Sequence, residues 1–312
     1  MAADGAETDG IGADGPGANG IGADGARADA VAADAAAPAR LRWTLRAAAS
    51  PAEQTPLLAL HGFATTASRC WADTGWLRRV GRDRDVVLVE LPWHEDPRLG
   101  GEDDDAARTG TLDLGPAGPG SPAVHDLLDA LGEAALAAAG ASGGHRVDVL
   151  GYSFGARLAW ELAALEPRLV RRLALGGLPA GDPLADLVAG GGLGARDELV
   201  AQSGIAAGDD LAAGGRFPSR GGPSLGASPP AGAAPAAVRG LLEASDLPRA
   251  GLVRFARTFG RDRFDPRPPP TQPVLLALGG ADRVAAGARR WPASCPRAPG
   301  SSTCRGAPTW TP

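Results

Sequence analysis

From about residue 40 onward, short apolar runs alternate with segments whose apolar residues recur at helical spacing, and this alternation constrains the fold most. Buried apolar strands separated by amphipathic helices are typical of a mostly parallel sheet that is covered on both faces. The sequence therefore predicts an α/β fold with a doubly wound sheet. The strands are predicted at residues 40–48, 56–63, 85–92, 146–150, 171–177 and 273–280, with the first at an edge of the sheet.

Capping residues predict where the helices begin and end. One helix is predicted to open with Ser121 as its N-cap and Pro122 in its first turn, because these residue types favour helix starts. A second is predicted to follow Ser153 and to end before Pro167, since proline interrupts a helix.

Composition divides the chain into a core domain and two flanking segments. Residues 1–39 are rich in Ala, Asp and Gly and predict a disordered tail, because they carry too little apolar surface to form a core. Residues 40–290 predict the α/β domain, with a lid inserted at about 180–270 that holds a helix at 249–260. Residues 291–312 predict an irregular tail.

Charge and residue usage exclude several classes of function. The net charge is −5 and there is no basic stripe, so nucleic acid is not an expected partner. No apolar run approaches the ~18 residues of a membrane span, and three cysteines imply no disulfide framework, so we expect a cytoplasmic protein. No Cys/His cluster has metal-ligand spacing, and neither metal nor cofactor is expected. The oligomeric state is left open.

The pattern Gly-x-Ser-x-Gly occurs three times, around Ser142, Ser153 and Ser224. A nucleophilic serine of this type needs a strand before it and a helix after it, so that a sharp turn exposes its hydroxyl. Only Ser153 has both neighbours. Ser142 follows a helix, and Ser224 lies among prolines, so both are interpreted as loop serines.

At these motifs the sequence resembles the α/β-hydrolase superfamily, in its single-domain esterase-like branch. The resemblance runs from about residue 55 to 283 and rests on four stretches in the family's order: LALHGF, VLVELPWHE, VDVLGYSFGARLAWELA and VLLALGGADRV. It implies the α/β-hydrolase fold with a lid, and a hydrolase that needs no cofactor.

The resemblance also implies roles for individual residues. Ser153 would be the nucleophile, and the backbone amides of Phe63 and Phe154 would form the oxyanion hole. Asp282 would be the acid that orients the base, although it could instead be a plain helix N-cap. Asp182 is the alternative acid, because some family members place the acid after the preceding strand.

The predicted substrate contacts are mostly aromatic. Trp93 and Tyr152 are the predicted substrate-binding residues. In the lid helix, Leu252, Phe255 and Phe259 fit either an apolar acyl site or ordinary packing.

The family's catalytic base is missing from its usual place. The resemblance implies a His after the acid, but all four histidines of this chain precede Ser153. His94 is the candidate for a displaced base, and His61 is interpreted as a brace for the oxyanion loop. His125 and His145 are interpreted as surface residues.

Residues 285–312 occupy the part of the chain where the resemblance places the catalytic His. They contain no Leu, Ile, Val, Met or Phe, so they cannot supply a buried strand. We therefore expect the family's last strand, His loop and last helix to be missing, and we hypothesise a shifted reading frame as the cause.

The resemblance thus predicts a serine hydrolase that acts on small-molecule carboxylic esters or thioesters through an acyl-enzyme. Because no His follows the acid, an inactive chain is the other expectation. The alternatives are a non-catalytic binding protein on the same fold, or a lyase or C–C hydrolase, since fold alone does not fix the reaction.

Overall fold

The computed structural model describes residues 38–50, 55–96, 98, 108–115, 122–179, 181–193 and 233–279. The predictions for the tails at 1–39 and 291–312, for the missing last strand, and for Ser224 and Asp282 fall wholly or almost wholly outside these residues.

A seven-stranded, mostly parallel sheet forms the centre of the described structure. Its strands in chain order are β1 (Arg40–Arg46), β2 (Leu57–Leu60), β3 (Val86–Glu90), β4 (Arg108–Asp113), β5 (Val147–Tyr152), β6 (Val170–Gly176) and β7 (Val274–Ala277). The spatial order is β4-β1-β3-β2-β5-β6-β7, and among these seven strands β1 runs opposite to the other six. The predicted doubly wound, mostly parallel sheet is confirmed.

The prediction that residues 40–48 form an edge strand is wrong. β1 lies between β3 and β4, and β4 is the edge. β4 escaped prediction because its sequence RTGTLD contains one large apolar residue, Leu112, and most of its residues are exposed. Gly110 of β4 faces the indole of Trp43, where a Cβ would collide with the ring.

Seven helical segments cover the sheet in the described structure. They are a one-turn π-helix (Ser68–Asp73), α1 (Trp76–Val80), α2 (Val124–Ala141), α3 (Phe154–Leu165), α4 (Pro183–Ala189), α5 (Ala233–Ala244) and α6 (Arg249–Phe259). α3 ends before Pro167 as predicted, and α6 matches the predicted helix of the insertion.

The predicted start of α2 is wrong. The helix begins at Val124, with Ala123 rather than Ser121 at the N-cap position, so Pro122 precedes the helix instead of lying in its first turn. Two carboxylates accept hydrogen bonds from backbone amides at the start of the helix, as a capping serine would. Asp126 accepts the amide hydrogen of Ala123 at 2.7 Å, and Asp262, distant in sequence, accepts that of Val124 at 2.8 Å.

The strands at the centre of the sheet are buried on both faces. Leu58 and Leu60 of β2 pack into the larger apolar cluster, which also receives α2, α3 and α6. Leu57 and Ala59 face a smaller cluster around the π-helix. This two-sided burial explains why the central strands are almost uniformly apolar.

Candidate active site

Ser153 lies at a sharp turn between β5 and α3, at the carboxyl end of the parallel strands. Its backbone has φ 53° and ψ −115°, a conformation that L-residues rarely adopt. The Ser153 amide donates to the carbonyl of Gly176 at 2.8 Å, which fixes the turn to β6. The side chain is half-buried, and its hydroxyl forms no hydrogen bond with any described residue.

Three glycines allow the backbone to close around this turn. A Cβ on Gly151 would lie 2.5 Å from the carbonyl oxygen of Gly155, and one on Gly155 would lie 2.5 Å from that of His61. A Cβ on Gly62 would lie 3.1 Å from the Cβ of Ser153. Side chains at these positions would push the serine turn away from the loop after β2.

Replacing Ser153 with glycine is expected to stabilise the fold. A strained backbone of this kind costs about 1–3 kcal/mol, of which glycine's greater chain entropy offsets about 1 kcal/mol. We expect Ser153→Gly to raise the free energy of unfolding by about 1 kcal/mol in denaturant titrations. The control is Ser142→Gly, because Ser142 has an ordinary φ of −91° and its hydroxyl donates to Asp85 at 2.7 Å. Equal losses of stability in both variants would show that the turn at Ser153 stores no strain.

Two backbone amides beside Ser153, one on this turn and one in the loop after β2, have no acceptor in the part of the chain that the structure describes. Phe154 is the first residue of α3, where an amide has no acceptor within the helix. Neither this amide nor that of Phe63 donates to an acceptor among the described residues. Oxyanion holes of acyl-transfer enzymes are built from such donors.

The ring of Phe255, on α6, underlies both of these residues. Its centroid lies 5.8 Å from the ring of Phe63 and 5.0 Å from that of Phe154. Phe255, Phe259 and Leu252 are fully buried. None of the three side chains is among the residues that line the cavity beside Ser153.

His94 is fully buried and uses both of its ring nitrogens. Nε2 accepts the amide hydrogen of Ala64 at 3.1 Å, so Nδ1 carries the ring proton and donates to the carbonyl of Pro92 at 2.9 Å. Burial, reinforced by the nearby His61, lowers the pKa of His94 to about 3. His94 is therefore a neutral brace in this structure, and no hydrogen bond joins it to Ser153.

His61 also braces the loop after β2, which is the role inferred for it from the sequence. Its Nδ1 donates to the carbonyl of Gly62 at 2.8 Å, and its Nε2 accepts from the amide of Leu91 at 3.1 Å. Glu90 lies 3.0 Å from Nε2, and burial raises the pKa of this carboxyl. The two remaining histidines, His125 and His145, are exposed. None of the four histidines hydrogen-bonds to Ser153.

Asp182 lines the same cavity as Ser153 but is fully engaged elsewhere. Its carboxylate accepts from Arg157 at 2.6 Å and from the amides of Ala185 and Phe264, both at 2.9 Å. It thereby caps α4 and holds the segment after α6, which leaves it poorly placed to orient a base. Asp282, the acid that the resemblance implies, falls outside the described residues.

Arg157 is a buried residue of the site that sequence reasoning missed. Besides Asp182, its guanidinium contacts Glu161 at 3.2 Å and the carbonyl of Asp262 at 2.7 Å. It also lies over the ring of Phe154, 5.4 Å from the centroid. Its position four residues after Ser153, on the same helix face, was the available signal, but this chain is rich in arginine.

A small apolar cavity opens beside Ser153. Its volume is about 30 Å³, room for about two water molecules. The lining comes from the loop after β2, the serine turn, α4 with the segment before it, and α5: Phe63, Ser153, Phe154, Pro179, Asp182, Pro183, Leu184, Val238 and Leu241.

The predicted substrate contacts Trp93 and Tyr152 do not line this cavity. Trp93 has a φ of 57° and packs against Phe259, while Tyr152 packs on the opposite face of the sheet. Their role in binding substrate stays a prediction.

Other classes of site leave no trace among the described residues. No group of three or more His, Cys, Asp or Glu side chains there could hold a metal ion. Across the same parts of the chain, no helix has both the length and the apolar character needed to cross a bilayer.

The sheet order, the serine turn and the paired free amides define an α/β-hydrolase arrangement. A profile of the alpha/beta hydrolase family matches residues 57–304. The chain belongs to this family.

Solved structures with partial similarity include a hydrolase, MenH and a putative epoxide hydrolase. A hydrolase from Pseudomonas aeruginosa PA01 is 25% identical, with 80% of each chain covered and a TM-score of 0.44. MenH from S. aureus is 13% identical, with 76% of this chain and 79% of MenH covered and a TM-score of 0.44. A putative epoxide hydrolase from Pseudomonas aeruginosa is 19% identical, with 78% of this chain and 76% of that chain covered and a TM-score of 0.38. No curated protein matches the chain.

Proposed function

We propose that this protein is a serine hydrolase that cleaves small carboxylic esters or thioesters through an acyl-enzyme at Ser153. The observation that carries the proposal is the position of Ser153, on a strained backbone turn, next to the amides of Phe63 and Phe154. Within the described part of the chain, neither its hydroxyl nor these two amides has a hydrogen-bond partner. In this reaction Ser153 Oγ adds to the carbonyl carbon while the amides stabilise the oxygen's developing charge. Hydroxide from solvent takes the Ser153 proton as Oγ adds, and the alcohol or thiol leaves as an anion that takes a proton from water. A water molecule then hydrolyses the ester on Ser153, which releases the carboxylic acid and restores the hydroxyl.

The cavity favours a short acyl group. Its walls near Ser153 are mainly apolar, and its volume of about 30 Å³ leaves room for little more than an acetyl group. We therefore propose acetyl or similarly short esters and thioesters as the substrate class.

Hydrolysis of p-nitrophenyl acetate tests the proposal. Ser153→Ala should reduce turnover to the background of the buffer, whereas Ser142→Ala, a serine in the same sequence pattern, should leave it unchanged. The octanoate ester should react more slowly than the acetate. Turnover that survives Ser153→Ala would contradict the assignment of the nucleophile.

The pH profile should reveal how the serine is activated. Because no histidine hydrogen-bonds to Ser153, we expect its alkoxide to form only through hydroxide, so the rate should rise about tenfold per pH unit between pH 7 and 9. A plateau with a midpoint near pH 7 would instead show that an imidazole acts as the base. The rate of Ser153→Ala, measured in parallel, supplies the background to subtract.

A second candidate is a non-catalytic binding protein on the same fold. The observation that favours it is that two of the four histidines are buried braces and two are exposed on the surface. Saturable binding of a short ester without any release of alcohol, at pH 9 as well as pH 7, would favour this candidate over the hydrolase.

A further inference from the structure

Three successive peptide groups of the oxyanion loop, the segment after β2 that contains Gly62, Phe63 and Ala64, are each held by a hydrogen bond to a different side chain. The first contains the Phe63 amide, and its carbonyl, from Gly62, accepts a hydrogen bond from His61 at 2.8 Å. The second contains the Ala64 amide, which donates to His94 at 3.1 Å. The third contains the Ala64 carbonyl, which accepts from the hydroxyl of Ser245 at 3.1 Å. The orientation of the Phe63 amide thus depends on three contacts rather than on the loop alone.

Ala64 needs this support because its backbone is left-handed. Its φ is 61°, a conformation that alanine adopts at a cost of about 1 kcal/mol or more. A loop with this strain persists only where its surroundings enforce it. His94 and Ser245 hold the two sides of the strained residue, on its amide and on its carbonyl.

Ser245 comes from the predicted lid and not from the sheet. It lies in the turn between α5 and α6, and its hydroxyl oxygen accepts the amide hydrogen of Leu247 at 3.2 Å, which orients the hydroxyl toward Ala64. The adjacent Asp246 forms an ion pair with Arg69 of the π-helix. The same turn is therefore tied twice to the segment that follows β2.

The helix that precedes this turn forms a wall of the cavity. Val238 and Leu241 of α5 line it beside Ser153. A displacement of α5 by an acyl group in the cavity would reach the oxyanion loop through Ser245.

We propose that Ser245 and His94 are positioning residues that keep the Phe63 amide aimed at the substrate's carbonyl oxygen, with Ser245 linking this amide to the lid. The inference rests on the proposed function of Ser153. It assigns no contact with substrate to either residue. Their contribution is made through Ala64.

Ser245→Ala tests the link, with Ser245→Thr as the variant that retains a hydroxyl. The matched control is Thr74→Ala, which removes a different hydroxyl, one that donates to the carbonyl of Cys70 at 2.7 Å. Two quantities are measured: the amide hydrogen exchange of Ala64 by NMR, and the kinetics of Ser153 labelling by a fluorophosphonate at several concentrations.

Ser245→Ala should raise the exchange rate of the Ala64 amide by about tenfold and lower the maximal labelling rate by about tenfold. Removing an oxyanion donor altogether lowers a reaction rate by more than this, and here the Phe63 amide is only misaligned. The half-saturating probe concentration should stay unchanged, and both Ser245→Thr and Thr74→Ala should behave as the wild type. Unchanged exchange, or an unchanged maximal rate in a wild type that is labelled, would overturn the inference. If the wild type is not labelled at all, the proposed function fails on its own, and the exchange of Ala64 still decides whether Ser245 holds the loop.

Discussion

Gly155→Ala is expected to lower the free energy of unfolding by about 3 kcal/mol or more and to abolish reaction at Ser153. The added Cβ would overlap the backbone carbonyl of Leu60 and lie 2.5 Å from that of His61. Both neighbours are backbone atoms at the end of a central strand, so they cannot rotate away as a side chain could. Helix α3 would have to move, and the amide of Phe154 would move with it.

Gly132→Ala is the matched control. Gly132 lies in α2, and a Cβ there meets nothing within 4 Å. This substitution should raise stability by about 0.5–1 kcal/mol, because alanine favours a helix more than glycine does. Denaturant titrations measure the free energy of unfolding of both variants. Similar small changes in the two would show that Gly155 of α3 does not lie against the carbonyls of Leu60 and His61.

Arg157→Met is the second change with a large expected effect, a loss of about 3–5 kcal/mol in the free energy of unfolding. The Arg157 side chain is 2% exposed, and its guanidinium lies between two carboxylates, those of Asp182 and Glu161. Removing it leaves buried negative charge without a cation, which costs more than the pair itself contributes.

The loss should depend on pH in a defined direction. Burial already raises the pKa of Glu161, and Arg157 opposes this rise. Without Arg157 the pKa of Glu161 rises further above its unfolded value, so the folded variant binds a proton more readily than the unfolded chain. Its stability deficit should therefore shrink as pH falls from 8 to 5.

Arg263→Met is the control for Arg157→Met. Arg263 pairs with Asp186 at 2.9 Å in the same part of the fold, but both side chains are exposed. Such a pair contributes about 0–1 kcal/mol, so this variant should lose little stability at any pH. A loss for Arg157→Met no larger than that of the control would mean that the buried charges are solvated.

The parts of the fold that depend on local pattern were predictable from the sequence. The central strands are apolar on both faces, and Ser153 has a strand before it and a helix after it, so the sheet and the serine turn followed from the motif. The edge strand β4 did not, because an exposed strand with a single large apolar residue has no strong pattern. The prediction of where α2 starts was wrong because Asp262, which is remote in the sequence, accepts a hydrogen bond from the first amide of the helix.

The roles of the polar residues depend on tertiary contacts. His94 precedes the serine by many residues and could have been a base or a brace; only its hydrogen bonds to Ala64 and Pro92 distinguish the two. Likewise, nothing in the sequence pairs Arg157 with Asp182 or brings Ser245 to the loop after β2. Such contacts join segments that fold together from different parts of the chain.

Intact-mass spectrometry after incubation with a fluorophosphonate tests the central claim most directly. At pH 9, where the serine alkoxide forms most readily, we expect one adduct per chain, mapped by peptide analysis to Ser153 and absent from Ser153→Ala. An adduct on another residue, or a folded protein that stays unmodified at Ser153 after prolonged incubation, would contradict the account.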